Sequence, residues 1–178
     1  MSARTTVPGK LVTAVFGQVL KQDLTTGLVG ELAEAGLDVL SPVGETVPRE
    51  VWDRALELTA KALYPNEEDG LRKLGRHVIT VLPKRGLVKG PWLTVAKLMG
   101  IRRALKQGAE LGGSSSPVHA KVIDRGSREV EVHLDEGRQS ELLAGLLEGI
   151  IALLGGRDVH VMIASAAPAH AVLLASWR

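Results

Sequence analysis

Five histidines, His77, His119, His133, His160 and His170, are the side chains of this sequence best suited to ligate a metal or move a proton, because imidazole titrates near neutrality and carries a lone pair. A ligand pair within one element needs His-x-His along a strand or His-x-x-x-His along a helix, and neither spacing occurs. Four of the five fall on segments that read as strands, where neighbouring strands would bring His119 near His133 and His160 near His170. Solvent-facing histidines sharing polar faces with Lys121, Glu129 and Glu131 are the simpler expectation. The run Ser114-Ser115-Ser116 lacks the Gly-x-Ser-x-Gly frame of a nucleophile elbow, and Gly112-Gly113-Ser114 lacks the Lys-Ser or Lys-Thr ending of a phosphate loop. The acidic pairs Glu67-Glu68 and Asp135-Glu136 fall at expected helix starts, where the dipole accounts for them. No catalytic residue, metal site or cofactor is assigned.

Charge is the feature that these groups leave unexplained. Between Leu71 and Ala109 there are ten basic residues and no acidic one, on a chain whose net charge is only +2. Such a block creates a positive potential unless acidic helices of the same chain neutralise it. Arg72, Arg76, Arg85, Lys89, Arg102 and Arg103 are the candidate residues for recognising an acidic protein partner or a small anion. Nucleic acid is disfavoured, because aromatic residues make up only 3% of the chain and supply little stacking surface.

Apolar periodicity places these groups on elements. Leu11, Val12, Val15, Phe16, Val19 and Leu20 predict a helix over Lys10–Gln22. Thr25 or Thr26 caps a second helix that Gly36 stops. A loop over Ser41–Thr46 leads to Pro48, expected at the first position of a third helix that runs to about Tyr64. Asn66 with its following acids predicts the start of a fourth helix that lasts until Pro83. Pro91 opens a fifth helix that ends at Gly108. Residues 112–117 read as a linker.

From Pro117 onward the period changes to two, predicting a hairpin of Val118–Ile123 with Val130–Leu134. A long apolar helix follows over Gly137–Leu154, and a second hairpin joins Val159–Ile163 through Ala166-Ala167-Pro168 to Ala171–Trp177. Gly145-x-x-x-Gly149 allows close backbone approach, read first as packing on the helix's own sheet and second as a dimer seam. No internal repeat is evident beyond the two hairpins. The fold class is therefore α+β, one domain over 1–178, with a helical half (1–111) packed on a β-β-α-β-β antiparallel unit (117–178).

The 178 residues, 45% of them apolar, suffice for one buried core. With no cysteine there is no disulfide, thiolate nucleophile or Cys-ligated metal. The polar stretch Met1–Lys10 and the lack of a run of about 18 apolar residues make a cytoplasmic protein without a membrane span the expectation.

Several short segments resemble a family of proteins of about this length, found mainly in myxobacteria, for which no activity is established. They are Glu31-Leu32-Ala33-Glu34-Ala35-Gly36-Leu37-Asp38, Val51-Trp52, Leu63-Tyr64-Pro65, Leu71-Arg72-Lys73-Leu74-Gly75-Arg76 and Leu173-Leu174-Ala175-Ser176-Trp177. The order of elements is also similar to the architecture shared by haem nitric-oxide-binding domains, four-vinyl-reductase small-molecule-binding domains and transport-particle subunits. That resemblance implies a buried small-molecule pocket or a helix-mediated homodimer, in sensors or assembly parts rather than catalysts. A haem sensor would need a proximal histidine on a helix and a Tyr-x-Ser-x-Arg clamp. His77 is the one candidate for the first, and the second is absent.

Taken together, these observations predict a non-enzymatic signalling or regulatory module, homodimeric, that binds a protein partner through its basic surface. The alternative is a sensor that holds an apolar small molecule between the long carboxy-terminal helix and the helical half.

Overall fold

The computed structural model describes residues 5–87, 90–112 and 118–178. The tripeptide Thr-Val-Pro occurs twice, and its two copies form the antiparallel strands β1 (Thr6–Pro8) and β2 (Thr46–Pro48), paired Val7 to Val47. Both valines are buried, and each strand hands over to a helix through an extended proline, Pro8 or Pro48. Part of the loop expected before Pro48 is therefore a strand, and the repeat that marks it is in the sequence. Pro48 caps the third helix rather than opening it.

Helix α1 (Gly9–Val12) widens into a π-helical segment (Thr13–Val19), closed by Leu20 N–H donating to Val15 O at 2.7 Å. The expected helix over Lys10–Gln22 is thus shorter and wider at its end. The segment sets Phe16 edge-on to Trp52 of α3 (Arg49–Leu63), with ring centroids 5.9 Å apart. Helix α2 (Thr26–Glu34) has the predicted cap, Thr25 Oγ1 accepting from Leu28 N–H at 3.2 Å, and the predicted stop at left-handed Gly36.

Helix α4 (Gly70–Lys84) starts later than expected. Asn66 adopts a φ of 65°, a left-handed turn that asparagine tolerates, so it ends one helix instead of capping the next. Pro83 lies in the last turn, and the helix stops one residue beyond it. The expected fifth helix is two, α5 (Gly90–Met99) and α6 (Ile101–Gly112), divided at Gly100, whose φ of 82° only glycine adopts cheaply.

The carboxy-terminal part is β-β-α-β-β as predicted. Strands β3 (Ala120–Gly126), β4 (Glu129–Leu134), β5 (His160–Ala167) and β6 (His170–Ser176) form an antiparallel sheet of order β3-β4-β6-β5. Helix α7 (Ser140–Leu153) connects the hairpins and packs Ala144, Leu147 and Ile151 onto Val132, Val161 and Leu173. The turn of the second hairpin is Pro168-Ala169, one step later than expected.

Gly145 and Gly149 meet α4 of the same chain, which neither sequence reading specified. A Cβ at Gly145 would collide with the Arg72 carbonyl, one at Gly75 with the Leu142 carbonyl, and one at Gly149 would lie 2.8 Å from Ile79 Cβ. The α4–α7 crossing is therefore a backbone-to-backbone contact. It joins the core formed by the first helices to the core under the sheet.

Alanine should accordingly have opposite effects at two helical glycines. Gly145→Ala should lower unfolding free energy by at least about 2 kcal/mol, because neither backbone can yield. Gly108→Ala in α6, where a Cβ meets nothing within 4 Å, should raise it by about 0.5–1 kcal/mol. Urea melts of both variants provide the check, and equal effects at the two positions would refute the crossing as described.

Candidate functional site

Where α4 and α7 are held together, the space between α7, α6 and the sheet stays open. A cavity of about 410 Å³ lies there, walled by Ile79 and Leu82 of α4, Leu105 of α6, Val132 of β4, and Leu147 and Ile150 of α7. Every described side chain lining it is apolar. The wall follows from periodicity: Leu143, Leu147 and Ile150 recur on one face of α7, and Val132 and Leu134 alternate inward along β4. Protein interiors are close-packed, so an apolar space of this size exceeds ordinary packing voids and lies in the range of small-molecule sites.

A second cavity of about 270 Å³ adjoins it, with Val118, Leu143 and Leu146 lining both. It is apolar along Val7, Leu11, Trp52 and Val78 and has one polar end, formed by Arg49, Glu136 and Gln139. All three are buried. Arg49 Nη1 lies 2.7 Å from Glu136 Oε2, and Nε donates to Asp53 Oδ1 at 2.9 Å. Glu136 Oε1 accepts from Arg138 N–H at 2.9 Å. Gln139 Oε1 has no hydrogen-bond partner among the described residues. No sequence signal singles out Arg49, and Glu136 reads there as a dipole partner; the fold makes the two an ion pair across the halves.

The basic residues chosen from the sequence do not form one surface. Arg72 reaches Glu148 Oε1 at 3.0 Å and bonds the Val161 carbonyl, and Arg76 pairs with Asp69 and Glu148. Arg85 faces elsewhere, toward Asp23 at 3.2 Å and the Gln18 carbonyl at 2.8 Å. Arg102 contacts the Gly126 carbonyl at 3.3 Å, and Arg103 is exposed. Lys89 lies outside the described residues. Neutralisation within the fold, the alternative left open by the sequence, accounts for Arg72, Arg76 and Arg85.

The histidines are redistributed as well. His77 Nε2 lies 3.2 Å from Asp23 Oδ2, away from both cavities. Lys121 rather than His119 stands directly opposite His133, and His160 and His170 lie at opposite ends of the β5–β6 hairpin. Instead His133 approaches His170, with ring centroids 5.8 Å apart. Among the described residues no three His, Asp or Glu side chains converge as a metal site, and no helix is long and apolar enough to cross a membrane.

Glu131 sits between His133 and Arg125, and their hydrogen bonds, the histidine's first, hold its carboxyl below the ordinary value of 4.5. Because the folded state favours the carboxylate, this contribution to stability is complete above pH 4.5 and is lost as pH falls through the lowered folded value. Glu131→Gln should therefore lose stability at pH 6 and show a shallower acid limb than the parent. Thermal melts from pH 3 to 7 measure this, and parallel curves would contradict the pairing.

Comparison with solved structures places the fold. An H-NOX protein studied for its activation mechanism superposes with a TM-score of 0.69 at 14% identity, covering 97% of each chain. An oxygen-binding H-NOX domain related to soluble guanylate cyclases gives 0.65 at 13%, covering 97% of this chain and 95% of that one. An H-NOX protein from S. oneidensis in the Fe(II)NO state gives 0.62 at 14%, covering 97% and 99%. At these identities the likeness is one of fold, and it agrees with the haem-nitric-oxide-binding architecture that the order of elements suggested. No curated protein sequence matches this chain. Residues 5–178 match the model of a family described as a protein of unknown function, DUF2378, and the chain belongs to that family.

Proposed function

We propose that this protein is a non-catalytic sensor module that holds an apolar small molecule between α7 and the helical half. The observation that carries this reading is the all-apolar cavity of about 410 Å³, which extends toward a second cavity with a polar end. An unfilled apolar space forgoes dispersion contacts, and a ligand that fills it restores them. The cavity lies beside the α4–α7 crossing, where the two halves of the fold meet, so occupancy bears on how they pack.

Haem distortion has been probed in the H-NOX family, but the residues here do not fit that group. Haem iron needs an axial His, Cys, Met or Tyr, and among the described residues none lines either cavity. His77 is turned toward Asp23, and the single tyrosine, Tyr64, is followed by Asn66 and Glu68 where a Tyr-x-Ser-x-Arg clamp needs serine and arginine. The ligand proposed is accordingly metal-free.

A second reading is recognition of an acidic protein partner in the cytoplasm. Its support is the exposure of Arg102 and Arg103, adjacent on α6. Reversing both to Glu should abolish capture of such a partner without a change in melting temperature; undiminished capture would dispose of it.

For the sensor reading, a neutral fluorescent probe such as N-phenylnaphthylamine should bind and raise the unfolding free energy by about 2.7 kcal/mol at a hundred times its Kd. Ala104→Phe, which fills the cavity from α6, should keep or raise Tm and weaken the probe at least about tenfold. A stable variant with unchanged affinity would place the probe elsewhere.

A further inference from the structure

The polar end of the second cavity specifies what kind of head group its ligand carries, and this inference rests on the sensor reading. Arg49 bonds both Asp53 and Glu136, and both carboxylate oxygens of Glu136 are engaged. One guanidinium faces two carboxylates, so the cluster carries a net charge of about −1 with all three groups ionised. Arg49 and Glu136 are withdrawn from water, where an added anion is poorly screened. Gln139, 7% exposed, supplies the other polar group of this wall, a carboxamide whose Oε1 has no hydrogen-bond partner among the described residues. A carbonyl oxygen left unpaired in a buried site is costly, and a donor that reaches it removes that cost. Gln139 precedes the first residue of α7 without its side chain capping the helix, so the local backbone gives this amide no task.

We infer that the ligand is an amphipathic molecule with a neutral hydrogen-bond donor, a hydroxyl, that bonds Gln139 Oε1 while its hydrocarbon portion runs between Trp52 and Leu146 toward the larger cavity. A carboxylate head is rejected on two counts: it offers no hydrogen at neutral pH, and it adds a second uncompensated negative charge beside Glu136.

The test compares three probes of one chain length on the full-length protein: decanol, its methyl ether and decanoate, each by displacement of N-phenylnaphthylamine. The ether keeps the oxygen and loses the donor. Decanol should bind about tenfold more tightly than the ether, and decanoate should be the weakest. In Gln139→Leu, checked for folding by its melt, the alcohol-to-ether ratio should fall to about one. Equal binding of alcohol and ether to the parent protein would overturn the head-group assignment and leave the apolar cavity standing. A preference for the ether would show the amide nitrogen facing the cavity and overturn it too, as would decanoate binding best. Failure of all three probes and of the fluorophore would overturn the sensor reading itself.

Discussion

The close crossing of α4 and α7 is the constraint on which the rest of the molecule depends. Gly75, Gly145 and Gly149 let two helix backbones approach until a single added methyl would strike a carbonyl or the Ile79 side chain. Dispersion falls steeply with distance, so a contact of this kind has little tolerance for drift and fixes the position of α7 relative to α4. The connection is reinforced at its edge by Arg72, which bonds both Glu148 of α7 and the backbone of β5 at Val161. Because α7 also roofs the sheet, fixing one helix pair fixes both cores.

The cavities follow from the same constraint. Glycines draw α7 toward α4 along one face, while Leu143, Leu147 and Ile150 beside them wall the larger cavity together with residues of α6 and β4. A helix with large residues on every face would sit farther from α4 and closer to the sheet. Small residues at the seam and large ones beside it thus make a rigid contact and an open pocket from one fourteen-residue element.

Electrostatics here is mostly internal. Five of the basic residues in the acid-free stretch, Arg72, Lys73, Arg76, Arg85 and Lys106, pair with Glu148, Glu67, Asp69, Asp23 and Asp124, acids that lie outside it in sequence. A charge block in sequence becomes a surface field only if its helices point the same way and no acid faces them. Here α4 turns its arginines toward α7 and the preceding loop. Burial adds selectivity at the Arg49–Glu136 pair, where breaking one partner strands the other.

What the sequence by itself determined was local. The change of period near Pro117 set the β-β-α-β-β order, Thr25 and Gly36 bounded α2, and the stripe of the first helix named Val12, Phe16, Val19 and Leu20 of the core, because each of these depends on neighbours within a few positions. The β1–β2 pair was missed, although its doubled Thr-Val-Pro stands in the sequence, because two three-residue strands forty positions apart carry no period of their own. Gly100 and Asn66 were harder, since both residues serve as caps, interior residues or left-handed turns according to what packs around them. The site depended on tertiary structure entirely. Arg49 meets Glu136, and Gly145 meets Arg72, across long stretches of chain with no sequence period to link them. A cavity is a property of how far apart packed elements stop, and that distance is set by the bulk of side chains meeting from different elements, not by any one segment.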